Sequence, residues 1–173
     1  MASLVILTAD QLIALDVEGR GQTRRAAREA AMPRRILRAF LDRGGPISVQ
    51  EIVADLQRGS SEAVHEALSR LDDDDLIRIR DGHVDIAYPF SAAPTAFVVR
   101  LRDGRERYAC CAIDALGIAP MAGQPIEIRS RCHHCETPLE FSATPGGPGP
   151  EAAGVMLWVG KRTGERCKVA DSL

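Results

Sequence analysis

Two adjacent cysteines stand shortly before an aspartate in the segment YACCAIDALG, residues 108–117. If this segment is helical, Asp114 lies one turn from both thiols, four residues after Cys110 and three after Cys111. A neighbouring carboxylate raises the pKa of a thiol, which disfavours ordinary Cys-His nucleophilic catalysis. The pattern suits thiolates that capture a soft metal while the carboxyl group moves a proton. The competing interpretation is that the cysteines are simply buried in the core. Spacing alone does not decide which of the two cysteines faces the aspartate.

Two further cysteines, Cys132 and Cys135, have C-x2-C spacing in RCHHCE. Such a knuckle is half of a tetrahedral zinc site, which needs about four protein ligands. The sequence has no second C-x2-C or H-x3-H pair to complete it. The alternative is a buried Cys132 at the end of a strand, followed by an exposed His-His-Cys turn in which Cys135 is dispensable.

The fifth cysteine, Cys167, lies in KRTGERCKVADSL near four cationic side chains, Lys161, Arg162, Arg166 and Lys168. Nearby cations lower the pKa of a thiol, so Cys167 is the best thiolate candidate by local charge. A mobile surface thiol near the chain terminus is the alternative.

The first half of the chain reads as helices followed by a hairpin. Residues 8–43 have helical patterns, Ser48 and Ser60 are expected N-caps, and LIRIRDGHVDIAY alternates around a turn at Asp81-Gly82. Three helices and a hairpin predict a winged-helix-like domain, and we assign it to residues 1–90. The acidic run at residues 72–75 is interpreted as a solvated helix end.

The second half, residues 95–173, reads as a small, mostly β domain after a linker between Pro89 and Pro94. Strands are expected on both sides of a turn at Asp103-Gly104 and on both sides of HHCET. One or two helical turns should run from Ala109 to Leu116 and end at Gly117. The tract TPGGPGPEAAG is expected to lack regular structure, and GVMLWVG to form a last strand. The predicted fold class is α+β.

Composition limits the possible functions. The chain has 173 residues, 45% of them apolar, and 22 basic against 24 acidic residues give a formal charge of −2. This balance does not draw the protein toward phosphates, so nucleic acid is an unfavoured partner. No apolar run approaches the length of a membrane span, and no leader is evident, so we expect a cytoplasmic protein with reduced thiols.

The segment RERYACCAIDALGIAPMAGQPIEIRSRC resembles the catalytic core of the organomercurial (alkylmercury) lyase family, which has a Tyr-Ala-x-Cys-Ala-φ-Asp motif, where φ is apolar. The resemblance covers roughly residues 95–170. It implies that Cys111 and Cys167 hold mercury and that Asp114 handles the proton, with Cys132 matching a structural cysteine. Cys110 and Cys135 are additional soft ligands that could replace or extend this pair.

The resemblance implies protonolysis of carbon–mercury bonds without an organic cofactor. The implied partners are an organomercurial substrate, the mercuric ion product and low-molecular-weight thiols. The alternative function is a thiol-based metal sensor or carrier without lyase activity, such as a winged-helix regulator. Salt-dependent DNA binding would distinguish the regulator from the enzyme.

Overall fold

The computed structural model describes residues 31–56 and 60–157. The chain divides into two compact units, residues 1–35 and 36–173. The helices predicted before residue 31 and the cysteine at position 167 lie outside the described residues.

The described residues form four helices, nine strands and a 3₁₀ turn. In chain order they are α1 (Ala31–Arg43), β1 (Ile47–Ser48), α2 (Val49–Asp55), α3 (Ser61–Asp73), β2 (Ile77–Arg80), β3 (His83–Ala87), β4 (Phe90–Ser91), β5 (Phe97–Arg100), β6 (Glu106–Ala109), α4 (Ala112–Ala122), β7 (Ile126–Arg131), β8 (Pro138–Thr144), β9 (Gly147–Pro148) and the 3₁₀ turn Pro150–Ala152. The predicted α+β class is confirmed.

All nine strands belong to one antiparallel sheet. Its order is β1-β3-β4-β6-β5-β7-β8-β9, and β2 pairs with β3 outside this path. The sheet is continuous from the first hairpin into the second half of the chain, because β4 joins β3 to β6. The division into domains at residues 1–90 and 95–173 stays a prediction.

Local sequence signals explain several of these elements. The Ser48 side chain accepts a hydrogen bond from the Gln50 amide at 3.2 Å, and Ser60 accepts one from Ala63 at 3.2 Å, so both serines cap helices as predicted. The β2–β3 turn at Asp81-Gly82 is also confirmed, and both residues have positive φ, as a tight hairpin requires.

The acidic run at residues 72–75, where α3 ends, has a structural role that the sequence interpretation missed. Asp72 Oδ1 accepts a hydrogen bond from the Ile79 amide at 3.1 Å, which ties the end of α3 to strand β2. Asp75 is only 9% exposed and has a φ of 56°, so it lies within the turn and not on a solvated helix end.

The structure differs from three sequence predictions in the second half of the chain. Helix α4 passes through Gly117 and Pro120 and ends at Gly123, whose φ of 64° gives the left-handed C-cap. The proline- and glycine-rich tract contains the end of β8, strand β9 and the 3₁₀ turn. Residues 155–157 of the predicted last strand are not in a strand, and the remainder of it lies outside the described residues.

The core of the second unit lies between the sheet and its helices. Phe40 of α1 stacks on Phe90 of β4 with ring centroids 6.1 Å apart. Arg107 of β6 is 8% exposed, and its Nε donates to the carbonyl oxygens of Phe40 and Leu41 at 2.8 and 2.9 Å. This side chain therefore satisfies carbonyls in the last turn of α1 and fixes that helix to the sheet. Within the described part of the chain, no helix is long and apolar enough to cross a membrane.

Candidate active site

The site begins where β6 ends and the chain turns into α4. Thr95 Oγ1 donates to the carbonyl of Ala109 at 2.6 Å, and the Cys110 amide donates to the carbonyl of Pro89 at 3.0 Å. These two contacts from the preceding linker fix the last residues of the strand. Cys111 follows in an extended conformation with φ −151° and ψ 179°, and it is the N-cap of α4.

Cys111 and Asp114 are joined by two hydrogen bonds. The Cys111 thiol donates to Asp114 Oδ2 at 3.0 Å, and its sulfur accepts from the Asp114 amide at 3.4 Å. Both residues are half-buried. The arrangement resembles a capping box in which sulfur replaces the usual hydroxyl, so the helix start itself holds the thiol and the carboxylate together.

Burial, the negative charge of Asp114 and the hydrogen bond to that carboxylate raise the pKa of Cys111 from 9.0 to about 11. The thiol is therefore protonated at neutral pH, and its proton already points at a carboxylate oxygen. Such a pair can release a proton from sulfur to oxygen when a metal displaces it, and the acid can later return that proton elsewhere.

Cys110 has a different environment, although it is the adjacent residue. It is 3% exposed and packs with Ile86 and Tyr88. Burial, followed by the charge of Asp114, raises the pKa of this thiol far above its ordinary range. The structure thus separates the two cysteines that helical spacing had left equivalent: Cys111 contacts the aspartate, whereas Cys110 is part of the core.

A half-buried ion pair lies close enough to affect Cys110, and the sequence analysis missed it. Arg78 of β2 and Asp85 of β3 form two hydrogen bonds of 2.8 Å, and their side chains are 14% and 21% exposed. The charges of both residues act on the Cys110 thiol in opposite directions. The sequence did not indicate a role for Thr95 either, because only the folded chain brings Thr95 next to Ala109.

The C-x2-C knuckle forms the loop between β7 and β8. Cys135 is exposed as predicted, but Cys132 is half-buried and the prediction that it is buried was wrong. The strand register explains this, because Cys132 already follows the last residue of β7 and begins the loop. Hydrogen bonds, chiefly to Thr137, lower the pKa of Cys135. Among the described residues, no group of three or more His, Cys, Asp or Glu side chains could hold a metal ion.

The remaining predicted site residue, Cys167, lies outside the described residues. The structure therefore brings together Cys111 and Asp114 and says nothing of the third member. Catalytic roles for all three stay predictions.

Comparison with known proteins supports the resemblance. Residues 90–173 match the family model described as alkylmercury lyase. A solved structure described as the mercury-bound form of MerB2 has a similar fold, with a TM-score of 0.59 and 20% sequence identity. The similarity covers 75% of this chain and 65% of that one, so this chain spans somewhat less than two thirds of that structure. A search of curated proteins found no match. The resemblance predicted from the sequence is confirmed.

Proposed function

We propose that this chain cleaves carbon–mercury bonds of organomercurials by protonolysis, because residues 90–173 match the alkylmercury lyase family model. The observation that carries the proposal is the 3.0 Å hydrogen bond from the Cys111 thiol to Asp114. A thiol, a proton and an acceptor carboxylate are all that the first step of this reaction requires.

In the proposed first step the substrate R-Hg-X exchanges its ligand X⁻ for Cys111. The Cys111 sulfur forms a bond to mercury, and the thiol proton passes to Asp114 along the existing hydrogen bond. This route matters because a thiol with a pKa of about 11 is ionised in only roughly one molecule in ten thousand at pH 7. A carboxylate in contact with the S–H group removes the need for a free thiolate in solution.

In the second step Cys167 supplies another sulfur, loses its own proton to solvent and forms a second bond to mercury. Electron donation by two thiolates weakens the carbon–mercury bond. The bonding pair stays on carbon and takes the proton from Asp114, which gives the hydrocarbon RH and Hg(II) held by two thiolates. Low-molecular-weight thiols then remove the ion, and a cytoplasmic location would supply them.

The assignment of Cys167 is supported by chemistry and by the family match. Four cationic side chains stand within six residues of it in the sequence, and cations favour the thiolate form. The segment that matches the family model includes this cysteine. Mercury prefers two sulfur ligands, so a second thiol is needed beside Cys111.

The test is incubation of the full chain with phenylmercuric acetate and excess cysteine, followed by detection of benzene by gas chromatography. The wild-type protein should release benzene, whereas Cys111→Ser and Cys167→Ser should not. Cys135→Ser is the matched control, since it removes an exposed thiol outside the proposed reaction and should keep cleavage. Full activity of Cys111→Ser together with loss in Cys110→Ala would show that the wrong cysteine was chosen.

We also propose that the region before β5 is winged-helix-like and does not serve DNA binding. The order of α1, β1, α2, α3, β2 and β3 supports the winged-helix comparison. Arg78, a cation of the hairpin, is paired with Asp85 in a bidentate ion pair and is not available to phosphates. Submicromolar binding to duplex DNA at physiological salt, lost on Arg80→Glu, would instead favour the sensor or regulator function.

A further inference from the structure

The loop between β7 and β8 holds its two cysteines in a compact turn. The Cys132 amide donates to the carbonyl of Thr137 at 2.9 Å, which extends the strand pairing one step beyond Arg131 and Pro138. The Glu136 amide donates back to the carbonyl of Cys132 at 2.9 Å, and Glu136 has a φ of 57°. These two hydrogen bonds link the start of the loop to its end, so residues 132–135 lie on one tight turn.

Both thiols of this loop are reduced and close to one another. The Cys132 side chain helps to lower the pKa of Cys135, and the Cys135 sulfur lies 3.1 Å from Thr137 Oγ1. Cys135 is exposed and Cys132 is half-buried, so the pair opens to solvent on one side. A small ion can reach both sulfurs from there.

The number of ligands restricts which ion suits this pair. Zinc in a structural site takes about four protein ligands, and no described cluster of His, Cys, Asp or Glu reaches even three. Soft ions that accept two thiolates in a linear arrangement need only the pair itself. Two thiols on one loop also bind such an ion better than two separate thiols, because the second bond forms within the same molecule.

The sheet register places this loop at the same end of the sheet as the candidate active site. Strands β6 and β7 both pair with β5, and both run antiparallel to it. Ala109 pairs with Phe97 and Arg129 with Val98, so Cys111 and Cys132 follow strand ends at one end of the sheet. Two strand spacings, roughly 10 Å, separate β6 from β7.

We propose that Cys132 and Cys135 form a second binding site, which takes one mercuric ion as a two-coordinate dithiolate. Binding replaces two S–H bonds by two S–Hg bonds and releases two protons to solvent. The site goes beyond the proposed lyase reaction and does not depend on it, since it requires neither Cys111 nor Asp114. At this position it can hold mercuric ion at the same end of the sheet as the candidate active site.

The test uses the full chain with Cys111→Ser and Cys167→Ser, which removes both thiols of the proposed reaction. This protein is dialysed against mercuric chloride in excess cysteine, and bound mercury is counted by mass spectrometry. We expect about one ion per chain, and an affinity at least about tenfold weaker after Cys135→Ser is added. Cys110→Ala in the same background is the matched control and should keep the ion.

Cys135→Ser is the decisive variant because the side chain is exposed and its loss should not disturb folding. Absence of retained mercury in the starting variant would overturn the proposal, and so would retention that is insensitive to Cys135→Ser. Stoichiometric zinc in the protein as isolated, lost with Cys135→Ser, would overturn the two-coordinate site in favour of a zinc centre. Benzene release by the wild type is measured separately, so failure of the lyase reaction and failure of this site give different results.

Discussion

Replacement of Asp114 by Asn should affect the alkylation of Cys111 and the cleavage of the carbon–mercury bond in opposite directions. The amide has nearly the shape of the carboxylate, so the burial of Cys111 and the start of α4 are kept. What is lost is the negative charge and the base that takes up the thiol proton, although the amide oxygen can still accept the S–H hydrogen bond. Alkylation of Cys111, which proceeds through the free thiolate, should become faster, whereas protonation of the departing carbon should become slower.

The size of the first effect follows from the pKa of Cys111. Its increase from 9.0 to about 11 leaves about a hundredfold less thiolate at neutral pH than an ordinary thiol has. Burial is the largest cause of the increase, followed by the charge of Asp114 and the hydrogen bond to it. Because Asn removes the charge and only weakens the hydrogen bond, while burial stays, alkylation of Cys111 at pH 8 should accelerate by about tenfold and by less than about a hundredfold. Loss of the proton donor should slow carbon–mercury cleavage by about 10²- to 10⁴-fold.

The assay is alkylation by iodoacetamide with peptide mapping by tandem mass spectrometry, which separates Cys111 from its neighbour Cys110. The wild-type rate should rise about tenfold per pH unit until pH approaches 11, and the variant should level off at lower pH. Glu140→Gln, a change of an exposed carboxylate on β8, is the control and should leave the profile unchanged. An Asp114→Asn protein that alkylates no faster than the wild type would refute the reasoning, because the charge of Asp114 would then not hold the thiol proton.

The other predictions concern stability. Cys111→Ser should change the free energy of unfolding by less than about 0.5 kcal/mol, since serine is a good N-cap, whereas Cys111→Ala should cost about 1 kcal/mol in urea denaturation. Cys110→Ser should cost about 1–3 kcal/mol because it buries a hydroxyl group, and it should be less stable than Cys110→Ala. Arg107→Met should cost about 2 kcal/mol, since it removes the buried side-chain donor to the carbonyls of Phe40 and Leu41. A variant as stable as the wild type would contradict the role of this side chain. The free energy of unfolding should fall as pH rises above about 9. The pKa values of the Cys110 and Cys111 thiols are raised in the folded state, so the folded protein keeps protons that the unfolded chain releases. Cys110→Ala should make this decrease with pH smaller.

Several features of the fold could be predicted from local sequence alone. Ser48 and Ser60 cap helices through backbone groups two or three residues away. The Asp81-Gly82 turn follows from the positive φ that these residue types accept. The Cys-x-x-Asp motif likewise placed a thiol and a carboxylate one turn apart, and the family motif selected Cys111. These signals are readable because each interaction involves residues that are close in the sequence.

The ends of α4 and the difference between the two adjacent cysteines depended on distant contacts. Gly117 is a weak helix former, but α4 continues through it because Ala115, Ile118 and Ala119 are buried against the sheet. Local propensity could not show this burial.

The choice between the adjacent thiols was made by the chain that precedes them. The Pro89 carbonyl accepts a hydrogen bond from the Cys110 amide, and the Thr95 hydroxyl donates one to the Ala109 carbonyl. These two bonds hold Ala109 and Cys110 at the end of β6. Cys110 is thereby held in the core, and Cys111 becomes the first residue free to turn toward Asp114. A helical pattern gives both thiols the same distance to the aspartate, and only pairing between segments that are far apart in sequence makes their environments different.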